Sequence, residues 1–489
     1  MSIFSEELKK LVKQKKAVVY DMAKKCQIDH SSLYQIINGK RLPASESVVK
    51  QIGEYLKLSP DVQEQLLEKY RIMHMGEETY FRRQYVKEFI EKLDIQEQDP
   101  FPVNYQAALP DIEEEADCIS VAGRENLDRA MSKIIMNEAN EKGKIRIICQ
   151  GTYTFLFSLL CMYGENKDFT AEHILCLENV QENNDCYNIQ MLCGVAPLLK
   201  ANFSYIPYYF YDSVQAHYGM MSLFPCMILG SREALLFSAD GSRGLLFRGD
   251  SFLALLRETF ELCKKNARPL LANGADVERV KEIADEGMNN PDFQEASAAY
   301  ILCPCVYFGH LCDSGMWLKI LKKDIPNRKE LETFLKGDNA KLSSMVHHIK
   351  IYSFFTREGI RDFLENGHIV DPFSIYCDPL PMEDRLQCLR KVLKEIEEDR
   401  MEIYLLKEHK IKMDRDFYIV ATPGLLNCVL RKKSGEYAMM TIRESTLYHA
   451  IGDFMSVLKD SDMVEGKEET AEYLRKVLDE RGKVSNERV

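Results

Sequence analysis

Residues 22–41 hold the pattern that most limits what this chain can fold into. Met22 and Ala23 close one apolar face, Gln27 and Ile28 interrupt it, and Asp29 stands where a new helix needs a cap. Leu33, Ile36 and Ile37 then open a second apolar stripe at three- and four-residue spacing. His30, Ser31, Tyr34 and Gln35 fall on the opposite side, and Asn38-Gly39 ends the run with a residue that tolerates positive φ. Two short helices across a tight turn, the second presenting a polar face, are the expected outcome.

The flanking residues complete a five-helix unit over 1–70. Ser5 is expected to cap a first helix over 6–16, whose early acids Glu6 and Glu7 and late cations Lys13, Lys15 and Lys16 suit the helix dipole. A second helix is expected over 18–26, a fourth over 45–56 and a fifth over 60–70. Residues 1–57 carry 11 Lys/Arg against 6 Asp/Glu, a net of +5 in a chain whose total is −12. A basic head on an acidic body is the charge distribution of a nucleic-acid reader joined to a domain that does not bind it.

The run Met22-Ala23, Ile28-Asp29-His30-Ser31-Ser32-Leu33 and Asn38-Gly39-Lys40-Arg41-Leu42-Pro43 resembles the Cro/CI repressor (XRE) family over about residues 5–58. The resemblance implies a third helix that enters the DNA major groove. Carried over by position, it implies base contacts from His30, Ser31 and Gln35. It places Ser32, Tyr34 and Asn38 nearby, and Lys40 and Arg41 on the phosphates. Ile37 stands where the family pattern has Glu, and Val18-Val19 where a polar pair commonly opens the second helix.

With 489 residues the chain exceeds a single core. No apolar run approaches the ~20 residues a membrane helix needs, and the N-terminus lacks a basic start and apolar stretch. A cytoplasmic protein without membrane contact is expected. The 15 cysteines lie scattered in apolar stretches, which suits reduced, buried thiols.

Residues 71–116 read as a connector: a helix to Leu93, packed on its own C-terminal domain or acting as a lever, then an acidic, proline-bearing linker. The remainder reads as an α/β body with an internal repeat: a first lobe over 117–272, a helical middle segment over 273–381, and a second lobe with a final helix over 382–489. Each copy is expected to run helix, strand, intervening segment, three-strand meander, helix. The first copy starts with helix 125–142 and strand 144–149, the second with helix 382–399 and strand 401–406. The fold class expected is therefore multidomain: an all-α helix-turn-helix head plus a large, pseudo-duplicated α/β body. That layout is similar to degenerate two-lobed phospholipase D-like sensor domains. Active members carry His-x-Lys-(x)4-Asp in each lobe, whereas the nearest string here, His409 to Asp414, has neither the spacing nor a counterpart.

Other constellations point to structure. Cys303, Cys305, His310 and Cys312 sit within ten residues, but the segment is apolar enough to be a buried helix. The aromatic run 203–211 reads as a strand with Tyr tips, or as the wall of a ligand pocket. No catalytic residue, metal or cofactor is expected, and no ligand-binding residue is assigned. The function expected is a non-enzymatic, sequence-specific transcriptional regulator. It binds double-stranded DNA as a homodimer, and its body oligomerises or senses a small-molecule or protein effector. The alternative is an enzyme or interaction scaffold carrying a helix-turn-helix targeting head.

Overall fold

The computed structural model describes residues 2–486 apart from 94–115, 152, 165–167, 179–184, 214–222, 274–284, 286–288, 313, 326–327, 347–348, 368, 370–375, 414, 433–436 and 443. The chain divides into two compact units, Met1–Gln84 and Tyr85–Val489. The expected linker over 94–115 and most of an expected helix over 277–287 lie outside the described residues.

The head is all-α. Helices α1 (Ile3–Gln14), α2 (Val19–Lys25), α3 (His30–Ile37), α4 (Glu46–Tyr55) and α5 (Pro60–Met75) surround a core of Phe4, Leu8, Met22, Leu33, Ile36, Ile52 and Leu66. Burying aliphatic side chains of this kind contributes about 1.5–3 kcal/mol each. The first helix starts earlier than the sequence suggests. Ser2 is its cap, and Ser5 is the reciprocal partner: Ser5 N donates to Ser2 Oγ at 3.2 Å and Ser2 N to Ser5 Oγ at 3.0 Å. The earlier start places Phe4 in the core, edge-on to Tyr70. The fifth helix runs on to Met75 and stops at Gly76, whose φ of +88° breaks what reads in sequence as a continuous helix; α6 (Glu77–Leu93) follows.

The body contains two mixed sheets. The first joins β1 (Cys118–Ala122), β2 (Lys144–Ile148), β3 (Thr170–Leu177), β4 (Ser204–Tyr211), β5 (Cys226–Leu229), β6 (Ala234–Phe237), β7 (Arg243–Phe247) and a short edge, β8 (Arg268–Pro269), in the order β1-β7-β6-β5-β2-β3-β4-β8. The second joins β9 (Leu271–Asn273), β10 (Ala298–Leu302), β11 (Lys350–Phe355), β12 (Met401–Leu405), β13 (Phe417–Thr422), β14 (Leu425–Arg431) and β15 (Tyr437–Ile442), in the order β9-β15-β14-β13-β10-β11-β12. Read strand by strand the two orders are the same, with β9 in the place of β1 and β12 in that of β4. The senses match as well. The three strands β2-β3-β4 and the three strands β10-β11-β12 are parallel, and every other corresponding pair is antiparallel.

The repeat expected from sequence is therefore present, but in a different register. Strand 144–148 corresponds to β10, and β12 corresponds to β4, two strands later than expected. The middle segment read as helical carries β10 and β11, two interior strands of the second sheet. A helix followed by a strand recurs three times per lobe, so the pattern at 382–405 matches any of them. The chemistry of equivalent rows also differs. The register puts Arg146 beside Glu172 in the first sheet, and at the same places in the second Tyr300 stacks on Tyr352 at 5.1 Å.

Helices α7 (Arg124–Asn140), α8 (Thr154–Gly164) and α9 (Asp185–Leu199) pack on the first sheet, and α10 (Asp250–Asn266) follows its meander. On the second lobe come α11 (Ser314–Ile320), α12 (Arg328–Val346), α13 (Arg357–Asn366), α14 (Met382–Glu397), α15 (Ser445–Leu458) and α16 (Lys467–Asn486). One core joins both sheets through α9 and α15: Ile189, Leu192 and Val195 share a cluster with Ile419, Leu447 and Phe454. The cysteine-rich segment after β10 is irregular rather than helical. Only Gly309–Leu311 forms a 3-10 turn, and Cys303 and Cys312 are buried.

Candidate nucleic-acid interface

Helix α3 is held by its apolar side and its two ends. Leu33, Ile36 and Ile37 are buried. Asp29 accepts from Ser32 N at 3.0 Å, and that bond holds the carboxyl below its ordinary value. At the far end Gly39 has φ +72°, and a Cβ there would lie 2.6 Å from Ser5 Oγ. The helix is thus stopped where α1 passes closest. The turn before it uses Gln27 at φ +54°, with Ile28 N donating to Ala23 O at 2.9 Å.

This framework leaves His30, Ser31, Tyr34, Gln35, Lys40 and Arg41 exposed. Tyr34 is 60% exposed, far more than an aromatic ring that serves a core. Three of the eight expected contact residues, Asn38, Ser32 and Arg41, have local bonds. Asn38 Nδ2 donates to Tyr34 O at 2.8 Å, and Ser32 Oγ accepts from Arg41 at 3.3 Å while its backbone N–H serves the Asp29 cap. Tyr20 and Val18 at the start of α2 are exposed as well, 66% and 56%, and the Tyr20 ring lies 6.0 Å from that of His30. These two escaped the sequence reading, which treated the opening of α2 only as a lost polar pair. Three acids elsewhere in the head are engaged: Glu7 by Lys69 at 2.6 Å, and Glu46 and Glu64 by Arg71, each at 2.7 Å. Helix α3 has eight residues, about 12 Å of length, and an α-helix with side chains is about 10–12 Å across, which a B-DNA major groove admits.

The body gathers polar groups where the parallel strands of its first sheet end. Gln150 follows β2, Glu178 follows β3 and Tyr211 closes β4. Asn188 of α9 bonds the Glu178 backbone in both directions, at 3.0 and 3.1 Å, and donates to Thr446 Oγ1 at 3.0 Å. Glu444, fully buried, caps α15 through Leu447 N at 2.7 Å and accepts from Thr446 Oγ1 at 2.6 Å and from the Tyr211 hydroxyl. Burial and then Glu444 push the Tyr211 pKa up. Tyr187 donates to Gln150 Oε1 at 2.9 Å, leaving the buried Gln150 Nε2 with no hydrogen-bond partner among the described residues. His409 is exposed in the loop after β12, and no His-x-Lys-(x)4-Asp string occurs in either lobe.

No family model matches this chain. No curated protein matches it either. Solved structures similar to it include the archaeal chromatin protein TrmBL2, whose structure shows a novel mode of DNA binding (12% identity, 43% of this chain and 70% of that one, TM-score 0.21). They include the phosphatidylserine synthase of Haemophilus influenzae Rd KW20 (8%, 76% and 94%, TM-score 0.24) and the polyphosphate kinase of Porphyromonas gingivalis (10%, 74% and 55%, TM-score 0.21). Two of these three are enzymes, and the expectation of a chain without enzymatic activity is withdrawn on that finding. No helix among the described residues is long and apolar enough to cross a membrane.

Proposed function

We propose that this chain is a sequence-specific, double-stranded-DNA-binding transcriptional regulator of the Cro/CI (XRE) type that works as a homodimer in the cytoplasm. The observation that carries this reading is the outward face of α3: exposed polar side chains on a capped helix, flanked by Lys40 and Arg41, on a unit of net positive charge. Gln35 offers a paired donor and acceptor to adenine, Ser31 and His30 reach neighbouring edges, and Lys40 and Arg41 meet phosphates. A single short helix reads too few bases to be selective, so two heads on a two-fold site are required. Selection from random duplexes tests it. An enriched, two-fold-related site with the wild type, lost in Gln35→Ala/Arg41→Ala, is expected; no enrichment contradicts it.

A second reading concerns the body. The carboxyl ends of parallel strands are where open α/β sheets hold ligands, and Gln150 Nε2 sits there as a buried donor without a partner. A small polar effector or substrate with an acceptor group would bind at this seam. A thermal-shift panel of polar metabolites should then yield a stabilising compound whose effect is lost in Gln150→Leu; equal shifts in both proteins contradict this assignment.

A further inference from the structure

The geometry points to a buried binding site for a soft monovalent metal ion, copper(I), between the Cys312 thiol, the Cys388 thiol and the Met316 thioether. Two of these residues come from one stretch. Cys312 ends the irregular segment after β10, and Met316 follows in the first turn of α11. Cys388 arrives from α14, 76 residues after Cys312.

Their sulfurs converge. Cys312 Sγ and Cys388 Sγ are 3.9 Å apart, and Cys388 Sγ is 3.6 Å from Met316 Sδ. All three residues are buried. Three sulfurs held by one ion at about 2.3 Å stand about 4 Å from one another, so these two edges of the triangle are close to the coordinated length.

The donor set selects the ion. Thiolate and thioether sulfurs are soft ligands, and they favour copper(I). Zinc takes four ligands from Cys, His and carboxylates, and among the described residues no group of three such side chains is placed to hold an ion. Other members of the cysteine-rich segment turn elsewhere: the Cys303 thiol donates to Cys305 O, and His310 stacks on Tyr307 at 5.6 Å. Charge fits as well. Binding releases both thiol protons and leaves a complex with one net negative charge. Lys391, one turn after Cys388, donates from Nζ to Leu311 O at 2.9 Å, beside Cys312 in sequence, where its ammonium offsets that charge.

Titration of the reduced full chain with copper(I) under anaerobic conditions, against a colorimetric copper(I) chelator, tests this. The wild type is expected to retain one equivalent and release two protons, and Cys118→Ser, at an exposed cysteine, to do the same. Cys312→Ser and Cys388→Ala should lose the ion. Met316→Leu conserves volume and keeps the fold, and it should hold copper about tenfold more weakly. A wild type that retains no copper overturns the site. Copper held equally by the wild type, Cys312→Ser and Met316→Leu overturns it too, because the ion then rests on other thiols.

Discussion

The head and the body place their polar side chains in opposite ways. On α3 the polar residues point outward and the fold only braces them, through the Asp29 cap, the Asn38 back-bond and Gly39. In the body the informative polar residues are turned inward and most are paired, Gln150 Nε2 excepted. His173 is fully buried, accepting from the Tyr205 hydroxyl at Nδ1 and donating from Nε2 to Cys149 O, both at 2.8 Å. Glu172 beside it is 2% exposed and meets Lys264 at 2.5 Å, Lys144 at 3.4 Å and Arg146 at 3.6 Å. Residues of the first kind can be changed without disturbing the fold, and residues that are both buried and paired cannot. A polar group that contributes to recognition must remain available; one that contributes to stability must not.

The sharpest division should appear at His173. Replacing it with Leu removes both hydrogen bonds from a fully buried site, and a loss of about 3 kcal/mol is expected by denaturant titration. Its titration makes the same point. Burial lowers the His173 pKa to about 4. An unfolded histidine titrates near 6.5, so below that pH the unfolded chain takes up a proton that the folded chain refuses. Stability from this group is full above about pH 6.5 and is lost as pH falls toward 4, by about 3 kcal/mol in all. His173→Gln should flatten that segment of the stability profile, and an unchanged slope would break the contrast. A smaller effect is expected at Gly39→Ala, where the positive φ and the contact with Ser5 together cost the head about 1–2 kcal/mol. At the outer face, Gln35→Ala should move the head's stability by less than about 0.5 kcal/mol.

The same division explains what could be read from the sequence. The helices of the head were legible because their buried stripes are short, with Asp29 capping α3, Gly39 ending it and Pro60 opening α5. The start of α1 was misplaced because Ser2 and Ser5 are both competent caps, and only the burial of Phe4 decides between them. The duplication of the body showed in its meanders, which end each lobe alike, and its register was hidden in the parallel strands. Ser353 stands in the second sheet where His173 stands in the first; both tie their strand to the segment after the central strand, Ser353 by accepting from Tyr307 N at 3.2 Å. An ionic row in one lobe and an aromatic row in the other share a backbone and no residue pattern. The polar seam was invisible because Asn188 and Thr446, the neighbour of Glu444, lie 258 residues apart in sequence.

The central claim is that the α3 face reads duplex DNA, and the most direct measurement is the salt dependence of binding to the selected duplex. Titrated by fluorescence anisotropy, Arg41→Ala should weaken binding to every duplex and reduce the slope of log K against log salt by about 1. Gln35→Ala should keep the wild-type slope while losing about 1–3 kcal/mol of preference at one base position. Slopes and preferences identical to the wild type in both variants would contradict the account.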